Sequence, residues 1–152
     1  MVTSNLTQHV ADALFAMEKH SVSDEMISFV SLGQSENIKL VSSDNSEDFL
    51  LDLSRGRHSL IQVSMQNRAR GSVVVVRLDI NDPDHRNPNS RRFLRGPHLH
   101  RYREGLGDRW AEPVPARSFS DLNNELTTLR EFISFCNITK PPNIKLQGGL
   151  SL

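Results

Sequence analysis

The sequence predicts an α+β fold: a mainly antiparallel sheet of about five or six strands flanked by an N-terminal and a C-terminal helix, in a single domain over 1–152. Three observations carry this. Apolar residues recur at helical spacing near both ends of the chain. Between them lie several short runs that alternate or are rich in β-branched residues. Most of the segments joining those runs are too short to hold a crossover helix, so sequential strands pair antiparallel. A small closed barrel or a double sheet is the alternative arrangement of the same strands.

The opening helix is capped by Ser4 or Asn5 and carries Leu6, Val10, Leu14 and Met17 on one face. A less regular turn around DEMISFV and a polar stretch over 31–36 follow. NIKLVSS (37–43) and FLLDLS (49–54) have strand character and are separated by the turn-rich DNSED. LIQVSMQ (60–66) alternates, with Ile61, Val63 and Met65 on one face. GSVVVVRLDI (71–80) is the strongest strand, because four consecutive valines favour a pleated surface buried on both sides. RARG joins these two strands as a hairpin. The segment 81–97, NDPDHRNPNSRRFLRGP, is a long polar loop with three prolines. HLHRYRE forms the next strand, and DRWAEPV an edge strand ending at Pro113 and Pro115. The final helix starts at Ser120 or Asp121, aligns Leu122, Leu126, Leu129, Ile133 and Cys136 in one stripe, and stops at KPP.

Composition narrows the function classes. The chain is 37% hydrophobic and 24% charged, as in ordinary soluble proteins, and no apolar run approaches the ~18 residues of a membrane span. The N-terminus lacks a basic region followed by an apolar one, so a cytoplasmic location is expected. One cysteine, Cys136, excludes an internal disulfide framework and a cysteine-based zinc site. The zero net charge hides an asymmetry: residues 1–54 hold two basic groups and nine acids, whereas 55–109 hold twelve arginines, five acids and no lysine. Arginine pairs bidentately with phosphate and stacks on bases, so an RNA or other anionic partner is expected beside intramolecular ion pairs.

The alternation of strand side chains locates candidate chemistry. His98, His100 and Tyr102 share one face of their strand, with Leu99, Arg101 and Arg103 on the other. In the valine strand, Val74, Val76, Leu78 and Ile80 face the core, while Val73, Val75, Arg77 and Asp79 face away. If the two strands are neighbours, one sheet face carries Arg, Asp, His, His and Tyr. Such a set suits RNA cleavage by the substrate's own 2′-hydroxyl, which needs a base, an acid and a cation but no metal. His98 and His100 would be acid and base, Asp79 would fix an imidazole tautomer, Arg77 would balance the phosphoryl charge, and Tyr102 would orient a ribose or donate a proton. Arg91, Arg92, Arg95, Arg101 and Arg103 would hold the RNA backbone. No cofactor is expected.

A metal is the second option. His98, His100 and Glu104 together are similar to the first metal-binding motif of cupins, although Gly96 sits only two residues before His98 and no histidine follows His100. His85, in DPDHRNPN, could join the site but reads first as a turn residue, and Trp110 reads as a core or edge anchor. The GLG at 105–107 reads as a turn.

The run RLDIN…NPN…PHLHRYREGLGDRWAEPV, about 77 to 114, resembles a family of small uncharacterised bacterial proteins often carried by mobile elements, and the likeness extends to FCNI at 135–138. More distantly, the Arg-x-Asp strand followed by a His-rich strand resembles toxins of two-gene toxin–antitoxin pairs, commonly RNases or nucleotidyltransferases. That resemblance rests on Arg77, Asp79, His98 and His100 and implies a toxin-type endoribonuclease with an antitoxin or host protein as partner. The alternative function is a non-enzymatic module that binds and inhibits a host or defence protein.

Overall fold

The computed structural model describes residues 5–81, 84–91 and 93–152. Helix α1 (Gln8–Ala16) starts three residues later than expected. Its cap is Thr7, whose hydroxyl accepts from the Val10 N–H at 3.2 Å, and Ala11 and Leu14 turn inward. Short strands β1 (Lys19–Ser21) and β2 (Met26–Ser28) follow. Next come the long hairpin strands β3 (Ser35–Ser42), β4 (Asp48–Arg55), β5 (Val63–Ala69) and β6 (Val73–Ile80). The loop after β6 contains a miniature antiparallel pair, β7 (His85–Arg86) and β8 (Phe93–Leu94). Strands β9 (His98–Arg101) and β10 (Ala111–Pro113) lead to helix α2 (Glu125–Phe135), β11 (Ile138–Lys140) and β12 (Asn143–Lys145).

Among the described residues the main sheet has eight strands in the order β10-β9-β6-β5-β4-β3-β1-β11, antiparallel except for the parallel β1–β11 pair. It is open, not closed into a barrel. The α+β class and the two flanking helices hold, and the sheet is larger than five or six strands. The extra width comes from β1 and β11, three polar-containing residues each, directly after the two helices. Strands that short carry no readable period. They are joined by long-range contact instead: the Lys19 N–H donates to the Asn137 carbonyl at 2.9 Å.

One sheet face is dry. Leu51, Leu53, Met65, Val76, Leu78 and Leu99 are buried there with Leu14 of α1 and Leu129 and Phe132 of α2. Each such side chain contributes roughly 2 kcal/mol by leaving water. Helix α2 begins at Glu125, capped by Asn124, whose side-chain oxygen accepts from the Thr127 N–H at 3.0 Å. Glu125 also grips Arg55 of β4 in a two-pronged ion pair, at 2.7 and 3.0 Å. Lys19 joins both helices. Its buried ammonium donates to the carbonyls of Phe15, Met17 and Cys136 at 2.7–2.9 Å, where the helix dipoles end negative. Cys136 is a buried core thiol, pushed up to about 12 by burial and therefore inert.

The valine strand departs from strict alternation. A bulge places Asn67 opposite Val76 but Arg68 opposite Val74, so one extra residue, Val75, enters β6. Val73 and Val75, expected on the polar face, are therefore buried in the core. From Val76 to Ile80 the expected alternation holds. Among the described residues no helix is long and apolar enough to cross a membrane.

Candidate functional site

Opposite the dry face, the register aligns polar side chains in two rows across the sheet. One row runs Ser54, Ser64, Asp79, His98, Pro113, and the next runs Asp52, Gln66, Arg77, His100, Ala111. The central strands β6 and β9 are neighbours, so the set inferred from alternation does assemble. Asp79 faces His98 directly and His100 diagonally.

The carboxylate of Asp79 is the hub. Its Oδ1 accepts from the Ser64 hydroxyl at 2.8 Å. Its Oδ2 accepts from Arg77 Nε at 3.2 Å and lies 3.4 Å from His98 Nε2 and 3.2 Å from His100 Nε2. Burial alone would raise its pKa. The Arg77 charge and the Ser64 hydroxyl work against that, and the carboxyl is held well below the usual carboxylate range. Asp79, His98 and His100 are 5%, 2% and 1% exposed. Arg77 is itself tied by Asp108, whose carboxylate lies 2.5 Å from its Nη1.

The imidazoles are held from behind by the main chain. His98 Nδ1 lies 3.1 Å from the Gly96 carbonyl, and His100 Nδ1 lies 2.7 Å from the Asp108 carbonyl. The tight turn 103–107 presents that carbonyl, with Gly105 and Gly107 in the left-handed region at φ 83° and 63°. Both rings thus turn Nε2 toward Asp79. For His100 the approach lies off the line a hydrogen bond requires, and its buried Nε2 has no hydrogen-bond partner among the described residues.

A third histidine, His85, caps the group. Its ring centroid lies 5.4 Å from that of His98 and 4.8 Å from that of His100. His85 Nε2 lies 3.1 Å from the Arg109 carbonyl. Asn87 secures the same loop to β10 by exchanging two hydrogen bonds of 2.6 Å with the Ala111 backbone. Burial and the neighbouring His100 and His98 lower the His85 pKa, against the raising effect of the Arg109 carbonyl and Asn87. One ring nitrogen from each of the three histidines falls within 4.8 Å of the others. On the Ser64 side, a cavity of about 260 Å³ lined by Ser54, Gly56, Gln62, Ser64, Arg77 and Asp79 opens beside the hub.

Other expected site residues lie elsewhere. Tyr102 follows the end of β9, bonds Val75 through its N–H, and sends its hydroxyl to the Leu6 carbonyl at 2.8 Å. It lines a cavity of about 630 Å³ against α1, on the helix side of the sheet, and does not reach the histidines. Glu104 lines the same cavity, where it accepts from the first N–H of α1 at 3.0 Å, so the His98–His100–Glu104 metal set does not form. Arg101 and Arg103 line that cavity too. Arg101 lies over Phe15 at 5.1 Å and Arg103 over Trp110 at 4.4 Å, away from the histidine face. Arg91 and Arg95 are exposed on the loop, and Arg92 lies outside the described residues.

His85, which reads first as a turn residue, belongs to the cluster, and Asp108 is a site residue that the sequence pattern does not single out. The one local signal for His85 was its position two residues before the Asn87-Pro88 turn, where a clamping asparagine aims the loop back at the sheet. Residues 6–138 match the family of unknown function DUF6978. No curated protein and no solved structure matches the chain.

Proposed function

We propose that the chain, which belongs to the family of unknown function DUF6978, acts on RNA as a toxin-type endoribonuclease, with its centre at Asp79, His85, His98 and His100. The observation behind this reading is the convergence of three imidazoles and one ionised carboxylate beneath an arginine-bearing loop, beside a small cavity that Arg77 and Asp79 line. Cleavage would join the substrate's 2′-oxygen to the adjacent phosphorus and release the 5′-oxygen. The centre would remove the 2′ proton and return one to the leaving oxygen, giving a cyclic phosphate and a 5′-hydroxyl end. Exposed Arg91 and Arg95 supply backbone contacts. Arg77, already paired with Asp79 and Asp108, orients the carboxylate and meets a phosphate only at the cavity wall. The mobile-element assignment rests on the likeness of residues 77–114, and the toxin assignment on Arg77, Asp79, His98 and His100.

A second reading has its own support. His98 and His100 are sealed from solvent, and Phe93 is 59% exposed between Arg91 and Arg95. In that reading the loop is a docking surface for a host or defence protein, and the buried cluster only fixes its shape.

Incubating total bacterial RNA with the wild type, Asp79→Asn and Arg91→Glu/Arg95→Glu variants separates the two. Fragmentation by wild type, lost in Asp79→Asn and weakened in the arginine variant, is the expected result. Intact RNA after incubation with folded wild type overturns the nuclease reading and favours docking.

A further inference from the structure

Each histidine of the cluster has one ring nitrogen at hydrogen-bond distance from a backbone carbonyl: His85 Nε2 to Arg109, His98 Nδ1 to Gly96 and His100 Nδ1 to Asp108. A carbonyl oxygen only accepts, so these nitrogens carry the protons. In the neutral ring the other nitrogen then presents a lone pair. For His98 and His100 that nitrogen is Nε2, and both point at Asp79 Oδ2 from 3.4 and 3.2 Å. Two lone pairs and a carboxylate oxygen converging in a space closed to water repel one another.

The ring centroids of His98 and His100 lie 5.0 Å apart, and His100 Nε2 stands off the line that a hydrogen bond to Asp79 requires. A single cation between the groups satisfies all of them. Histidines that ligate metals commonly donate their other N–H to a backbone carbonyl, the arrangement all three adopt here.

We propose that His85, His98 and His100 bind one divalent transition-metal ion of the zinc class, with Asp79 Oδ2 as the fourth ligand. The donor set of imidazoles and one carboxylate, without thiolate, suits zinc. Metal–ligand bonds of 2.0–2.1 Å place neighbouring tetrahedral ligands about 3.4 Å apart, and the two Asp79–histidine separations of 3.2 and 3.4 Å match that edge. The three histidines each offer a ring nitrogen within 4.8 Å of the others, so binding draws the rings together toward the spacing of a tetrahedral site. His85 rides on the β7–β8 hairpin, which Asn87 fastens to β10. The ion therefore ties the β7–β8 hairpin to the sheet. This assignment replaces both the metal-free pair and the Glu104 ligand expected from sequence; with four protein ligands the ion leaves none of these side chains free as acid or base, so the loaded centre is a closed site and any RNA cleavage by the route above belongs to the metal-free chain.

The test uses the full chain, stripped with a chelator and then titrated with zinc against a chromophoric competitor. Cobalt serves as a spectroscopic substitute. One equivalent of zinc, a visible cobalt band of tetrahedral intensity and a zinc-dependent rise in Tm are expected. His85→Ala removes a half-buried loop side chain and leaves the sheet intact, so it should fold, bind zinc about tenfold or more weakly, and lose most of the Tm rise. Glu104→Ala should bind like the wild type. A folded wild type that takes up no zinc at micromolar concentration overturns the assignment, as does a His85→Ala variant of unchanged affinity. Zinc binding with RNA left intact supports the metal site and overturns only the nuclease reading.

Discussion

Lys19 and His100 are both polar groups taken almost wholly out of water, 0% and 1% exposed, yet their surroundings differ in kind. Lys19 lies between the ends of two helices and gives its three N–H bonds to three carbonyls. Every donor is matched, and the acceptors would otherwise be orphaned helix ends. His100 has one nitrogen matched to the Asp108 carbonyl, and its other nitrogen faces a carboxylate and two more imidazoles without a bond. A matched buried charge is architecture. An unmatched buried nitrogen, aimed where similar groups converge, marks a place made for something else.

The strongest way to probe that contrast is Lys19→Met. It strands three buried carbonyls at the junction of α1, α2 and β1, and should cost about 3 kcal/mol in urea unfolding. Zinc affinity should not change. A cost near zero would remove Lys19 from the architectural side of the comparison.

His100→Phe is the complementary substitution. It keeps a planar ring in the sheet but deletes both the nitrogen that lacks a bond and the Nδ1 bond to the Asp108 carbonyl, so the metal-free chain should lose about 1–2 kcal/mol. The zinc-dependent rise in Tm should vanish. A loss of several kcal/mol without metal would show that His100 supports the fold as Lys19 does.

Tyr102→Phe removes one hydrogen bond, to the Leu6 carbonyl, and should cost about 1 kcal/mol. Because that hydroxyl lies on the helix side, RNA cleavage and zinc affinity should match the wild type. A large fall in activity would return Tyr102 to the site.

The smallest effect is a pH dependence. Burial lowers the Lys19 pKa from 10.5 to about 8. Between those values the unfolded chain binds more protons than the folded one, so stability gains from this group as pH rises through the window. Unfolding midpoints of wild type and Lys19→Met, measured from pH 7 to 10, should therefore diverge upward for the wild type. A downward divergence would mean that the three carbonyls hold the charged form more strongly than burial opposes it.

Much of the candidate site was legible because strands have a two-residue period. Arg77, Asp79, His98 and His100 follow that period, and the β6–β9 pairing brings them together on one face. The same rule failed where the backbone departs from it. The bulge at Val75 turned Val73 and Val75 into the core, and the chain leaves β9 before Tyr102. Arg101 and Arg103 did fall on the other face, as alternation requires, and so were separated from the loop arginines.

The β6–β9 pairing that joins Asp79 to His98 and His100 came from the fold, while the sequence by itself determined the α+β class, the two helices, the long hairpin strands and which face of its own strand each of those three residues occupies. These follow from side-chain periodicity and turn residues within short windows. Only the tertiary structure decided the rest: β1 beside β11, Lys19 between two helix ends, Asp108 behind His100, and His85 over the cluster. Those groups are separated by anywhere from eight to more than a hundred residues, and no local pattern links them. They meet because backbone carbonyls and an asparagine clamp must be satisfied where loops cross the sheet, a constraint that arises only when the chain is folded.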